Sequence, residues 1–164
     1  LKGLLDTIDS TIKSVRRMCS ELRPALLDDL GLIAAMEWQA REFEKNTGIV
    51  AELTLPAEAL MLEPEIKTGL FRIFQESLTN IARHAQARLV RVNLLEKDNS
   101  LVLNIGDDGK GFNTSLLNEK RTLGILGMEE RSLMMGGKYI IKSEPGRGTT
   151  VKVTVPLKKK NTIV

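Results

Sequence analysis

From Pro64 to Ala85 the sequence carries two superposed helical patterns, and any fold of this chain has to accommodate both. Ile66, Leu70, Ile73, Ser77 and Ile81 recur at three- and four-residue steps and define one face of a helix, opened by Pro64 in its first turn. Glu76, Asn80 and His84 stand four residues apart and line a polar stripe on another face. The first face needs a layer to pack on. The second sets a carboxylate and an amide one turn apart, groups suited to hold a metal ion against a substrate. An ordinary amphipathic helix shows the same pattern on its solvent side, so the decision rests with the rest of the chain.

Downstream, Val90, Val92 and Leu94 alternate with Arg91, Asn93 and Leu95, which predicts a strand from Ala87 to Glu96. Lys97-Asp98-Asn99-Ser100 is a turn, and Leu101 to Ile105 is the returning strand. A helix from Ile125 to Met135 ends at Gly136-Gly137, and Tyr139 to Ser143 pairs with Thr149 to Val155 in a closing hairpin. Upstream, a helix from Leu32 to Lys45 is closed by Asn46-Thr47-Gly48, and a strand from Ile49 to Leu55 is stopped by Pro56. Trp38 and the Met134-Met135 pair are assigned to the core. Helices that precede and interrupt an antiparallel-rich sheet make this an α+β chain, one sheet face covered and the other available.

Before this domain, Leu1, Leu5, Ile8, Ile12, Val15, Cys19 and Leu22 step alternately by four and three, the spacing of a helix packed along a bundle or coiled-coil seam. One helix cannot bury such a stripe alone. It packs on the following domain or forms half of a dimerising hairpin whose other helix is expected before Leu1. Pro24 ends it. At 164 residues the chain has room for one domain plus this appendage. With no apolar run of membrane-spanning length and no secretory leader, the expectation is a chain that neither contacts a membrane nor is exported. Cys19 stands alone, as suits a reducing compartment, and reads as a small core residue. The net charge of +3 owes much to Lys158, Lys159 and Lys160, a solvated tail rather than the broad basic face that nucleic acid requires.

The chemistry is suggested by two glycine-rich stretches. Asp107 ends a strand and is followed by Gly109 and Gly111, where the chain must turn and lie close to whatever occupies the site. A carboxylate there accepts a hydrogen bond from an exocyclic amine such as adenine's. Gly124 and Gly127 precede a helix whose free N–H groups and positive dipole end suit phosphate oxygens. Between them, Asn113 to Leu123, with Lys120 and Arg121, is long enough to act as a lid.

The ordered set Glu76-x-x-x-Asn80, Asp107-x-Gly109-x-Gly111, Gly124-x-x-Gly127 and Gly146-x-Gly148-Thr149 resembles the ATP-binding boxes of the GHKL superfamily. The strings Leu22-Arg23-Pro24-Ala25-Leu26-Leu27-Asp28-Asp29-Leu30-Gly31-Leu32, Gln75 to Asn80 with Arg83-His84-Ala85, and Gly127-Met128-Glu129-Glu130-Arg131 are similar to sensor histidine kinases of the subfamily that usually signals to LuxR-type response regulators. The resemblance implies a Bergerat two-layer α/β sandwich with a mixed, largely antiparallel sheet over residues 29–164. It also implies that residues 1–28 hold the second helix of a dimerisation and phosphoacceptor hairpin.

It further implies ATP and Mg2+ as ligands, a homodimeric full-length kinase and a response-regulator partner. Asn80 would coordinate Mg2+ and Asp107 would read the adenine amine, with Thr149 supporting it through water. Gly109 and Gly111 would give base and sugar room. Gly124, Ile125, Gly127 and Met128 would lie along the phosphate and lid side. Glu76 would activate water, polarise the site or shape the metal shell; Arg83 and His84 would contact phosphate or cap the helix. The acidic-flanked His-Asp string of these kinases is absent, and His84 is the only histidine, so the chain is expected to bind ATP without phosphorylating itself. A serine kinase of the anti-sigma type, which lacks the seam helix, and a non-catalytic nucleotide-responsive dimerisation module are the competing expectations.

Overall fold

The computed structural model describes residues 27, 31–57, 60–114 and 123–157. The seam from Leu1 to Leu22, the Pro24 break, Cys19, the middle of the lid and the Lys158-Lys160 tail lie outside the described residues.

Helix α1 covers 31–47. It ends where Thr47 Oγ1 donates to the Phe43 carbonyl at 2.7 Å and Gly48, at φ +73°, returns its N–H to Glu44 O at 2.8 Å. Strand β1 follows at Val50–Thr54, helix α2 at Pro64–Asn80, and hairpin strands β2 and β3 at Leu89–Lys97 and Ser100–Asp107. Helix α3, Leu123–Met134, leads into strands β4, Lys138–Ser143, and β5, Thr149–Pro156.

The five strands lie in the order β1-β2-β3-β5-β4. The β2–β3 turn is tight because Asp98 and Asn99 both take positive φ, 51° and 56°, which matches the twist of a hairpin. β1 and β2 are parallel, because the chain between them crosses over through α2; every other pair is antiparallel. The sheet is therefore mixed and largely antiparallel, as expected.

Val90, Val92 and Leu94, then Leu101, Leu103 and Ile105, then Val151, Val153 and Val155 face the helical layer and are buried. From the other side come Met36, Leu70, Ile73 and Phe74, all essentially inaccessible. Each such side chain contributes about 1.5–3 kcal/mol on burial, so α2 is anchored along its whole apolar face. The opposite sheet face carries exposed polar residues, among them an ion pair between Arg91 and Glu52 at 2.9 Å.

Two expectations fail here. Trp38 is 42 % exposed and Met134 is 87 % exposed, so neither is core. Met134 shares with Leu123, Leu126 and Leu133 the side of α3 that no described element covers. Its neighbour Met135 does pack inward, with its Sδ in the space beside Gly69 of α2 that a side chain there would need. The long helix also does not stay α-helical to Ala85: Ile81–Ala85 form a π turn, and Gln86 leaves it at φ 54°. No helix among the described residues is long and apolar enough to cross a membrane.

Candidate functional site

Between α2, the inner sheet face and the start of α3 lies a cavity of about 620 Å³. Glu76 and Asn80 reach it from α2, and Arg83 and His84 from the π turn. Single π turns inside helices recur at functional sites because the extra residue per turn re-aims the side chains around it. Asp107 enters from the end of β3 and Thr149 from the start of β5. Gly111, Phe112 and Asn113 form one rim, while Gly124, Ile125 and Met128 of α3 form another. Ile81, Ile105, Ile141 and Val151 make the walls largely apolar, which suits a planar ring.

Of the glycines singled out in the sequence, Gly109, Gly127, Gly146 and Gly148 do not line this cavity. Gly109 is needed for packing: a Cβ there would collide with the carbonyl of Ala85, beside the 2.8 Å bond from Lys110 N–H to Ala85 O. The Asp107 loop is thus tied to the end of the π turn. Gly127 backs onto the guanidinium of Arg131 one turn later, with Arg131 Nη1 2.7 Å from where a Cβ would stand. Gly111 adopts φ +58° and approaches the carbonyls of Glu144 and Gly148. Gly148, at φ +73°, lies on the carbonyl of Asp107. The two glycine loops therefore interlock through backbone, and Gly146 N–H closes on Lys110 O at 2.6 Å.

Asp107 is held by the Gly109 N–H, which donates to Oδ1 at 2.8 Å, and by the Thr149 N–H. Burial raises its pKa above the ordinary 3.8, against the lowering effect of those two donors, with neighbouring Asp108 adding a small upward push. Asp108 has the opposite character. Its Oδ1 accepts the N–H groups of Arg88 and Leu89 at 2.8 and 2.9 Å, and these bonds lower its pKa. It clamps the start of β2, a role that nothing in the sequence pattern disclosed.

At the other end, the Glu76 carboxylate rests against Gly124 in the first turn of α3, where free backbone N–H groups carry the positive end of the helix dipole. Ser77, buried beside it, donates to Ile73 O at 2.8 Å and sits 3.5 Å from Met128 Sδ, which ties α2 to α3. Among the described residues no three His, Cys, Asp or Glu side chains gather into a metal site. Asn80 and Glu76 suit an ion that keeps most of its ligands as water and substrate oxygen, the habit of Mg2+. The arrangement joins a half-buried acceptor for an amine, apolar walls and a helix start suited to anions.

A family model described as histidine kinase-, DNA gyrase B-, and HSP90-like ATPase matches residues 65–159. The chain is 33 % identical over 157 residues to the signal transduction histidine-protein kinase/phosphatase DegS of Brevibacillus brevis, covering 96 % of this chain and 40 % of that protein. It is 38 % identical over 157 residues to the oxygen sensor histidine kinase NreB of Staphylococcus carnosus TM300, covering 96 % and 44 %. The chain thus spans less than half the length of either relative. Among solved structures, the Erythrobacter litoralis EL346 blue-light activated histidine kinase aligns with TM-score 0.73 at 20 % identity, over 94 % of this chain and 52 % of that one. Acinetobacter baumannii AdeS, a histidine kinase, aligns with TM-score 0.69 at 12 % identity, over 97 % and 86 %. At these identities the two structures bear on fold alone.

Proposed function

The chain belongs to the family of histidine kinase-, DNA gyrase B- and HSP90-like ATPases, and from that membership we propose that it is the Mg-ATP-binding catalytic part of a two-component sensor histidine kinase. The observation that carries this reading is the meeting of Asn80 and Glu76 on α2 with Asp107 and Thr149 from the sheet, on one cavity closed by the start of α3.

Asp107 accepts the adenine amine, and the walls of Ile105, Ile141 and Val151 take the ring. Asn80 holds Mg2+, which when bound neutralises charge on the phosphates. Arg83 and His84 line the same wall and contact phosphate oxygens. The first turn of α3, with Gly124, Ile125 and Met128, approaches the phosphates through its free N–H groups. Catalysis is then mostly positioning of the γ-phosphate for an incoming imidazole on a different helix. Glu76 polarises the site without serving as a hydrolytic base, because the acceptor is a side chain and not water.

In the full-length kinase we place residues 1–28 in the dimerisation hairpin and residues 29–164 in the ATP-binding domain. The a/d seam of the sequence supports that division. The full-length kinase would be a homodimer with this part in the cytoplasm, whether or not an upstream segment anchors it to a membrane, relaying phosphate to an aspartate of a LuxR-type response regulator. The strings around Pro24, Asn80 and Met128 and the similarity to DegS and NreB support this reading.

Isothermal calorimetry with a non-hydrolysable ATP analogue and Mg2+ tests it. The chain is expected to bind, and Asp107→Asn to weaken binding by about tenfold or more, the worth of a buried hydrogen bond to an ionised acceptor. Unchanged affinity in that variant would sink the site assignment. With labelled ATP the chain is expected to gain no acid-labile phosphate, and label on His84 would overturn the assignment of the acceptor to another helix.

A further inference from the structure

Ser143 does not line the cavity, yet its hydroxyl makes three contacts directly behind it. Ser143 and Thr149 are register partners across β4 and β5. Ser143 is 8 % exposed, and its Oγ lies 2.9 Å from the Phe112 N, 2.9 Å from the Gly148 carbonyl oxygen and 2.9 Å from Thr149 Oγ1. A serine hydroxyl has one proton and two lone pairs. The Phe112 N–H can only donate, so it takes one lone pair. The Gly148 carbonyl can only accept, so it takes the proton. The second lone pair remains for Thr149, and all three contacts are satisfied only if Thr149 donates its proton to Ser143.

Thr149, which lines the cavity, then has lone pairs alone to offer it. Beside it stands Asp107, whose carboxylate accepts the Thr149 backbone N–H. Two acceptors side by side suit a group with two N–H bonds, or a water that bridges to one, and oppose a carbonyl oxygen in the same place. We propose that Ser143 is a positioning residue that fixes Thr149 as a hydrogen-bond acceptor and so sets a preference for aminopurine over oxopurine nucleotides. This deepens the ATP-binding reading above and rests on it. The same hydroxyl joins Phe112 on the Asp107 loop to Gly148 on the second glycine loop, so the polarity of Thr149 and the spacing of the loops share one anchor.

The test is titration of the chain with Mg-ATP and with Mg-ITP, which differ at the purine 6-position in carrying an amine or a carbonyl. The unaltered chain is expected to favour ATP. In Ser143→Ala the Thr149 hydroxyl is free to rotate and donate to the inosine carbonyl, so the ratio of ATP to ITP affinity should fall about tenfold. Ser143→Thr, which keeps the hydroxyl, should restore the ratio. Should Ser143→Ala not fold, Ser143→Cys, of nearly equal volume and with only a weak S–H donor, carries the same comparison. A parallel loss of both affinities with the ratio unchanged would overturn the proposal and leave ATP binding intact. An unaltered chain that binds neither nucleotide would remove the ATP-binding reading, and this inference with it.

Discussion

The carboxylate of Glu76 occupies the space that a side chain on Gly124 would need. An acidic group from α2 thereby sits in the first turn of α3, where the helix dipole favours it. Glycine is favoured there only by Glu76, whose Oε1 is the far end of a flexible arm and can move aside. Gly111 is different, because its neighbours are the backbone carbonyls of Glu144 and Gly148 and its own φ is +58°.

Substitution at these two glycines should therefore diverge. Gly124→Ala is expected to cost less than about 1 kcal/mol, because Glu76 swings aside, and to cost still less in a Glu76→Ala background. Gly111→Ala forces both a clash with fixed backbone and an unfavourable φ, and should cost about 2–4 kcal/mol. Urea melts of the three variants measure this. Equal costs at the two positions would show that the contact with Glu76 is not what holds position 124 to glycine.

Asn80→Leu should separate the two ends of the cavity. Its side chain lines the α2 wall, whereas Asp107 and Thr149 come from the sheet. The variant is expected to bind adenosine as the parent does and to lose the added affinity that Mg2+ confers on ATP, a loss of about tenfold or more. Titrations with adenosine, ATP and Mg-ATP check it, and retained Mg2+ dependence would exclude Asn80 as the ligand.

The adjacent carboxylates Asp107 and Asp108 should act on acid stability with opposite signs. Burial raises the pKa of Asp107 in the folded state, so its ionised form costs the fold. That cost is absent below 3.8 and grows as pH rises through the raised value. Asp108 has a lowered pKa, so its contribution is present above 3.8 and is lost as pH falls through the lower folded value. Compared with Asp107→Asn, the parent should gain relative stability on acidification from about pH 7. Compared with Asp108→Ala, the parent's advantage should narrow below the ordinary carboxylate range. Denaturant unfolding across that range reads both differences, and matching signs would contradict the assigned environments. Adenine-nucleotide affinity should fall as pH drops through the raised Asp107 value, because a protonated Asp107 no longer offers two accepting oxygens.

Much of this was legible in the residues themselves. Ile66, Leu70, Ile73 and Ser77 are on the buried face of α2 and Ile81 continues it into the π turn, and Glu76, Asn80 and His84 do share the cavity. The error over Trp38 and Met134 has a simple cause: hydrophobicity tells that a side chain would profit from cover, and not whether an element lies close enough to supply it. Nothing near Pro64 to Ala85 announced the π turn, because one extra residue in a turn leaves the apolar spacing almost unchanged.

Local chemistry is therefore what the sequence by itself determined: a helix with two faces, a tight turn at Asp98-Asn99, and glycines after Asp107 where a side chain would not fit. Such features depend on residues adjacent in the chain or one turn apart. Only the tertiary structure decided that β5 lies between β3 and β4, and that Gly127 stands off the cavity. It also decided that Ser143 meets Phe112, Gly148 and Thr149 at once. These are long-range pairings, or the aim of a side chain within a packed assembly. They follow from which ladder closes on which, a choice made by burial of the whole sheet and encoded in no single stretch of it.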